Sequence, residues 1–316
     1  MNLLIHIGLH KTGSTALQGS LFSERAGLGF CSELFFDGAK RQSSYFQRLF
    51  TYDSRGNLRS PFDDALSAAS SLKSAVVALS NGFAVLSHER LSGDPNGGAV
   101  DSLAICERLA ALGAGSKVLI VLRRQDAAAY SNYIQYLRSG GIVGSKRYIS
   151  GPNFGGLDSL NINYYKYHFL VSAYINRFGM DNVLVVPYEM LQSDEKLFFS
   201  RIFEFCGLQS PRNTKIGISN SSDDGAVQIL LRHLNLICQR TSFGYSKPLI
   251  VSRKLDLLKR GLIRLIGRAL PRWIKKKIRQ DFEEMFCALY SREIKASNRI
   301  LQKLVSFNLR EFGYDL

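Results

Sequence analysis

The chain has 316 residues, 46% of them apolar, and carries 41 Lys and Arg against 26 Asp and Glu, a formal charge of +15. That composition is enough to bury a full core in one large domain or two small ones, which excludes a disordered chain, and no uninterrupted apolar stretch is long enough to span a bilayer as a helix. The five cysteines, Cys31, Cys106, Cys206, Cys238 and Cys287, show no CxxC or metal-ligand spacing, so they exclude a disulfide framework and read as reduced core thiols.

An apolar strand, Leu3 to Ile7, opens the chain; residues 1–7 have neither a basic n-region nor a small-residue cleavage site, and the expected location is the cytoplasm, including its membrane face. The strand runs into Gly8-Leu9-His10-Lys11-Thr12-Gly13-Ser14-Thr15 and then a helical pattern from Ala16 to Phe22. A turn of small residues between strand and helix points backbone N–H groups at one spot and suits an anion. Gly8 and Gly13 allow close curvature, Thr12, Ser14 and Thr15 bring hydroxyls, and His10 and Lys11 sit where they would meet a bound anion, Lys11 adding a mobile positive charge. In a Walker A loop the Lys directly follows the second Gly; here Lys11 precedes Gly13, which weakens a nucleotide-triphosphatase reading.

After an irregular stretch, Phe30 to Asp63, a helical pattern covers Ala65 to Val77, and Phe83 to Ser87 reads as a second strand ending in Ser87-His88-Glu89-Arg90. A helix is expected over Val100 to Leu112, a continuous apolar strand over Lys117 to Leu122, and a helix over Asp126 to Arg138. A Gly-rich loop, Ser139 to Leu157, follows; with Lys146, Arg147, Tyr148 and Phe154 it is expected to border the acceptor pocket. A helix from Asn163 to Phe178, a strand from Val183 to Pro187 and a helix from Asp194 to Phe205 complete the alternation. Repeated strand-helix units imply an α/β fold, a P-loop-type parallel sheet flanked by helices, with ligands at the carboxyl ends of the strands. His88 and Glu89 then share an edge with the first turn, and both are candidate bases, with Glu89 preferred because a carboxylate is ionised at neutral pH. His6, inside a strand, reads as a core histidine; His168 and His233 receive no role.

Residues 226–316 hold 19 Lys and Arg against 7 Asp and Glu, so this end contributes +12 of the total. Between Arg253 and Arg279 there are eleven basic residues and one acidic one, Asp256, while Leu255, Leu258, Leu262, Leu265, Ile266, Ala269 and Leu270 recur at helical spacing and Trp273 follows Pro271. Such a basic amphipathic helix suits an anionic membrane surface, an acidic polysaccharide, or simple packing of its apolar stripe on the core. Nucleic acid is disfavoured, because aromatic side chains are not interleaved with the charges. The expected organisation is a core over 1–225, a basic helical segment over 226–280, and a C-terminal helix over 281–316 that packs back on the core.

The loop Gly8 to Thr15 resembles the 5′-phosphosulfate-binding loop of the sulfotransferases that use 3′-phosphoadenosine 5′-phosphosulfate (PAPS). Lys117 to Leu122 followed by Arg123, with Ser131 eight residues later in the next helix, is similar to that family's 3′-phosphate-binding segment, except that Gln125 stands where the family often has Pro. The strand ending in Tyr188-Glu189-Met190-Leu191, the helix end Phe205-Cys206-Gly207-Leu208 and the closing Asn308 to Tyr314 resemble packing signatures of bacterial sulfotransferases. The resemblance implies PAPS as sulfuryl donor, PAP (adenosine 3′,5′-bisphosphate) as product, no metal, and an acceptor hydroxyl on a carbohydrate or lipid-linked glycan. It assigns His10, Lys11, Thr12, Gly13, Ser14, Thr15, Arg123 and Ser131 to donor binding, Lys11 to the leaving oxygen, and Glu89 or His88 to the acceptor proton. Rival readings are a nucleotide-dependent kinase, which would want an Asp at the end of Val118–Leu122 or Val183–Val186, and a non-catalytic polyanion- or membrane-binding protein.

Overall fold

The apolar runs pair side by side into one parallel sheet. In a computed structural model, which describes residues 3–9, 12–22, 30–31, 83–95, 98–111, 115–151, 159–210, 230–239 and 250–316, the strands are β1 (Leu3–Gly8), β2 (Phe30–Cys31), β3 (Phe83–Ser87), β4 (Lys117–Leu122) and β5 (Val183–Pro187). Their order is β2-β3-β1-β4-β5, with β1 central, His6 beside Ser87 of β3 and Gly8 beside Val121 of β4. Both faces are covered, which is why these strands read as unbroken apolar runs rather than alternating ones. Leu3, Ile5, Ile7, Ile120 and Val185 point into one core, and Leu4, Leu119, Val121 and Val186 into the other.

Helices fill each layer. On the first face lie α2 (Ser102–Ala110), α3 (Gln125–Arg138), α4 (Ser145–Ser150) and α5 (Tyr167–Phe178). The second face is closed by α1 (Ser14–Ser20), α6 (Tyr188–Ser193) and α7 (Glu195–Cys206). The C-terminal part comprises α8 (Arg232–Ile237), a short parallel pair β6 (Cys238–Gln239) and β7 (Ile250–Val251), α9 (Arg253–Ala269) and α10 (Arg272–Leu301).

Three expectations change. The boundary at residue 280 falls inside the continuous α10, whose Phe282, Phe286 and Ile294 belong to the first core, so the helix does not begin after the basic segment. The Gly-rich stretch from 139 contains α4, and its Tyr148 is buried against Tyr133 and Tyr136 with ring centroids 4.9 and 5.1 Å away, so this side chain belongs to the core. The helix expected over 163–178 is interrupted at Lys166 (φ −83°, ψ 70°), between a 3-10 turn at Ile162–Tyr165 and α5. The expected helix Ala65–Val77, most of the stretch before it, and Phe154 lie outside the described residues.

Candidate functional site

The carboxyl ends of β3, β1, β4 and β5 stand in a row. The chain leaves β1 towards β2 on one side and β4 towards β5 on the other, so a crevice opens between the β1 and β4 ends, where parallel sheets hold ligands.

The turn after β1 is held from within. Leu9 N–H donates to Val121 O across the crevice (3.4 Å), and both the amide and the hydroxyl of Thr12 donate to Leu9 O, at 3.2 and 2.7 Å. Thr12 is fully buried. Its hydroxyl proton therefore braces the turn from within. Gly13 is left-handed (φ 79°, ψ 13°) and receives Leu17 N–H on its carbonyl at 3.0 Å, a backbone state that favours glycine. Ser14 Oγ is buried without a hydrogen-bond partner among the described residues. It lies so close to the Gly8 Cα that a Cβ added there would overlap it. A buried orphan hydroxyl costs free energy unless something binds it. His10, Lys11 and the Thr15 side chain lie outside the described residues.

Behind the turn a polar tie fixes α1 to β3. His6 Nδ1 and Ser87 Oγ are 2.7 Å apart, and Gln18 Nε2 donates to Ser87 Oγ at 2.9 Å. Burial pushes the His6 imidazole down to about 3, the nearby Glu89 carboxylate pulling the other way, so His6 is neutral. His6 is thus a structural residue that registers Glu89 electrostatically. His88 and Glu89 follow β3 directly. His88 Nδ1 accepts Arg90 N–H at 3.0 Å, capping the 3-10 turn Glu89–Ser92. A neutral imidazole used this way carries its own proton on Nε2.

The β4 end supplies the positive side. Arg123 follows Leu122, and its guanidinium lies over the Tyr188 ring, 5.2 Å from the centroid. Tyr188 also backs the first turn, since a Cβ on Gly13 would sit 3.0 Å from Tyr188 Cε2. One aromatic ring therefore touches both motifs that the sequence sets 110 residues apart. Burial lowers the Arg123 pKa from its ordinary value, and the Arg279 charge from α10 pushes the same way, while Tyr188, Glu189 and Tyr167 oppose. The adjacent Arg124 is committed to the fold: it forks onto Asp126 at 3.1 and 3.0 Å and reaches Glu283 at 4.0 Å. Ser131 is half-buried in α3, the helix that β4 feeds. Gln125, in the family's Pro position, is buried and donates to Asn298 Oδ1 of α10 at 2.6 Å.

Sequence reading assigned Tyr188 and Glu189 to packing. Yet Glu189 Oε1 accepts Arg124 N–H at 3.0 Å and Oε2 accepts the Tyr314 hydroxyl at 3.2 Å, so this carboxylate sets the turn that carries Arg123 and fastens the C-terminal segment to it. Burial raises its pKa, with the Arg124 amide and the Arg123 charge opposing. Tyr167 OH, buried beside Arg123 and Glu189, has no hydrogen-bond partner among the described residues. The signal was present in the sequence: Tyr188 and Glu189 follow a strand at the same edge as Glu89 and Arg123. The thiols of Cys106 and Cys206 are pushed up to about 12 by burial, which makes them poor nucleophiles.

No family model matches the sequence, and no curated protein matches it. Among solved structures, the chain is similar to a sulfotransferase from Alicyclobacillus acidocaldarius, at 13% identity over 75% of this chain and 93% of that one, with a TM-score of 0.47. It is also similar to mouse sulfotransferase SULT7A1 complexed with PAP, at 13% identity over 96% of this chain and 88% of that one, with a TM-score of 0.33.

Proposed function

We propose that the chain is a sulfotransferase that moves a sulfuryl group from PAPS to an acceptor hydroxyl. The observation that carries this reading is the shared Tyr188 ring: the Gly13 turn and the Arg123 guanidinium lie against one side chain, close enough for a single doubly phosphorylated adenosine to meet both. The residues present fit such a donor, with Ser14 Oγ buried and unpartnered among the described residues and Gly8 bare where any Cβ would fill the turn.

When bound, the donor supplies an activated sulfuryl group on a good phosphate leaving group. Gly13 and Ser14 would hold its 5′ end, and Arg123, with Arg279 adding to the local positive charge, would take the 3′-phosphate that distinguishes it from ordinary adenine nucleotides. Lys11 would meet the charge that develops on the departing oxygen, and Glu89, one strand away across β1 and β3, would accept the acceptor proton. The acceptor class we favour is a glycan or glycolipid hydroxyl, as the sequence resemblance implies.

The kinase reading would require a carboxylate aimed at the crevice from the end of β4 or β5. Those ends carry Arg123 and Tyr188, and Glu189 is turned to Arg124 N–H and Tyr314 OH. Thermal shift separates the readings. Adenosine 3′,5′-bisphosphate is expected to raise the melting temperature well above the shift given by ATP with Mg²⁺, because a ligand at free concentration L stabilises the folded state by RT ln(1 + L/Kd), which grows as Kd falls. The reverse preference would favour the kinase.

A further inference from the structure

Helix α9 is turned the unusual way round. Its protein-facing side carries Asp256, Lys259, Ile263 and Gly267, all buried. The next stripe round the helix, Leu255, Leu258, Leu262 and Leu265, faces out, with exposures of 41, 70, 48 and 65%. A helix of a soluble domain ordinarily puts such a stripe against the core. Here a polar node prevents it. Lys259 Nζ is 2.8 Å from Asp256 Oδ1 and donates to Asn235 Oδ1 at 3.0 Å, while Asn235 Nδ2 donates to the carbonyls of Leu137 and Gly141 at 2.8 Å each. Rotating α9 to bury the leucines would drag a buried ion pair and these hydrogen bonds into disarray, so the outward stripe is fixed by the fold.

We infer that this face docks on an anionic lipid surface, with the leucine stripe seated at the level of the headgroups and the basic residues around it meeting lipid phosphates. Charge complementarity selects this occupant. Between residues 253 and 279 eleven basic residues stand against Asp256 alone, and Asp256 is buried in its ion pair, so it presents no negative charge outward. Lys254, Arg268, Arg272 and Lys276 are exposed. A second copy of the chain would bring an equally positive face against this one, which electrostatics opposes. Nucleic acid would use the charges but not four exposed leucines. Trp273, the chain's single Trp, is 70% exposed just past the end of α9, where an interfacial helix commonly carries an aromatic anchor. This inference goes beyond the transfer reaction and does not depend on it.

The lone Trp makes the test direct. The full chain is titrated with vesicles of equal parts phosphatidylglycerol and phosphatidylcholine, and separately with phosphatidylcholine alone, following Trp273 emission and vesicle flotation. The expected result is a blue shift and flotation with the anionic vesicles only, reversed by high salt. Leu258→Gln combined with Leu265→Gln, both exposed and so compatible with folding, should keep the wild-type melting temperature and lose partitioning by about tenfold or more. Equal binding to both vesicle types would overturn the inference, as would wild-type partitioning by the double variant. Trp273 emission already blue-shifted without vesicles would mean that the chain itself covers the face. A concentration-dependent dimer dispersed by the same two substitutions would assign the stripe to a second copy. Either finding would overturn it.

Discussion

A Gly8→Ala protein is expected to fold and to bind adenosine 3′,5′-bisphosphate about a hundredfold more weakly than wild type. The added Cβ would occupy the place of Ser14 Oγ, with His6 Cε1 at 3.2 Å closing the other side. Either Ser14 rotates away or the first turn of α1 moves, and both remove donors from the crevice. Hydrogen bonds to a charged group contribute about 1.5–3 kcal/mol each, so losing one or two gives roughly this factor. Overpacking adds a stability loss of about 1–3 kcal/mol. Gly19 is the internal control. It lies in the same α1, exposed, with open space where a Cβ would go, so Gly19→Ala should be neutral or slightly stabilising and leave binding unchanged. Calorimetric titration and melting curves on both variants check the contrast; equal behaviour would show that the space under Gly8 has no part in binding.

Glu189→Ala is expected to give the largest stability loss of any single change at this edge, about 3 kcal/mol. It strips the acceptor from Arg124 N–H and from the buried Tyr314 hydroxyl, and it removes a negative charge that favours the charged form of the half-buried Arg123. Each buried donor left without an acceptor costs about 1–3 kcal/mol. For a chain of this size such a loss lowers the melting temperature by about 4–5 °C. Glu189→Gln keeps an acceptor for one of the two donors and should lose less than half as much. The two variants separate positioning from folding: Glu189→Gln should weaken binding of the bisphosphate while melting near wild type, because the turn that carries Arg123 has lost part of its support. An unchanged melting temperature for Glu189→Ala would contradict the role given to this carboxylate.

Much of the fold was legible because strand signals were strong. The limits of β3, β4 and β5 match the expected Phe83–Ser87, Lys117–Leu122 and Val183–Pro187, since each is a closed apolar run bounded by polar or Gly residues. What escaped has physical reasons. The helix α4 hid in a Gly-rich stretch because its glycines serve neighbours and not flexibility: a Cβ on Gly141 would overlap the Tyr136 ring, whose hydroxyl accepts Ile142 N–H and Val143 N–H at 3.1 Å each. In α9 the spacing revealed the apolar stripe but not its direction. That is set by Asn235 and Lys259, polar residues whose pairing only tertiary structure defines.

At the site, the periodic signals located Gly8, Gly13, Ser14, Glu89 and Arg123 at one edge, because strand ends follow from strand limits. The direction of the Thr12 hydroxyl is not legible, since hydroxyl content alone does not say whether a hydroxyl faces a ligand or, as here, its own backbone. Tyr188 and Glu189 were read as packing for the converse reason. Their side chains do pack, and by packing they bring Arg123 to the first turn.

The claim on which the account turns is that Arg123 holds the 3′-phosphate of a nucleotide whose 5′ end sits in the Gly13 turn. Calorimetry with adenosine 3′,5′-bisphosphate and with adenosine 5′-monophosphate, each on wild type and on Arg123→Ala, measures it as a cycle. Wild type is expected to prefer the bisphosphate by about a hundredfold, Arg123→Ala to lose most of that preference, and both proteins to bind the monophosphate alike. A variant that keeps the preference, or a wild type that has none, would contradict it.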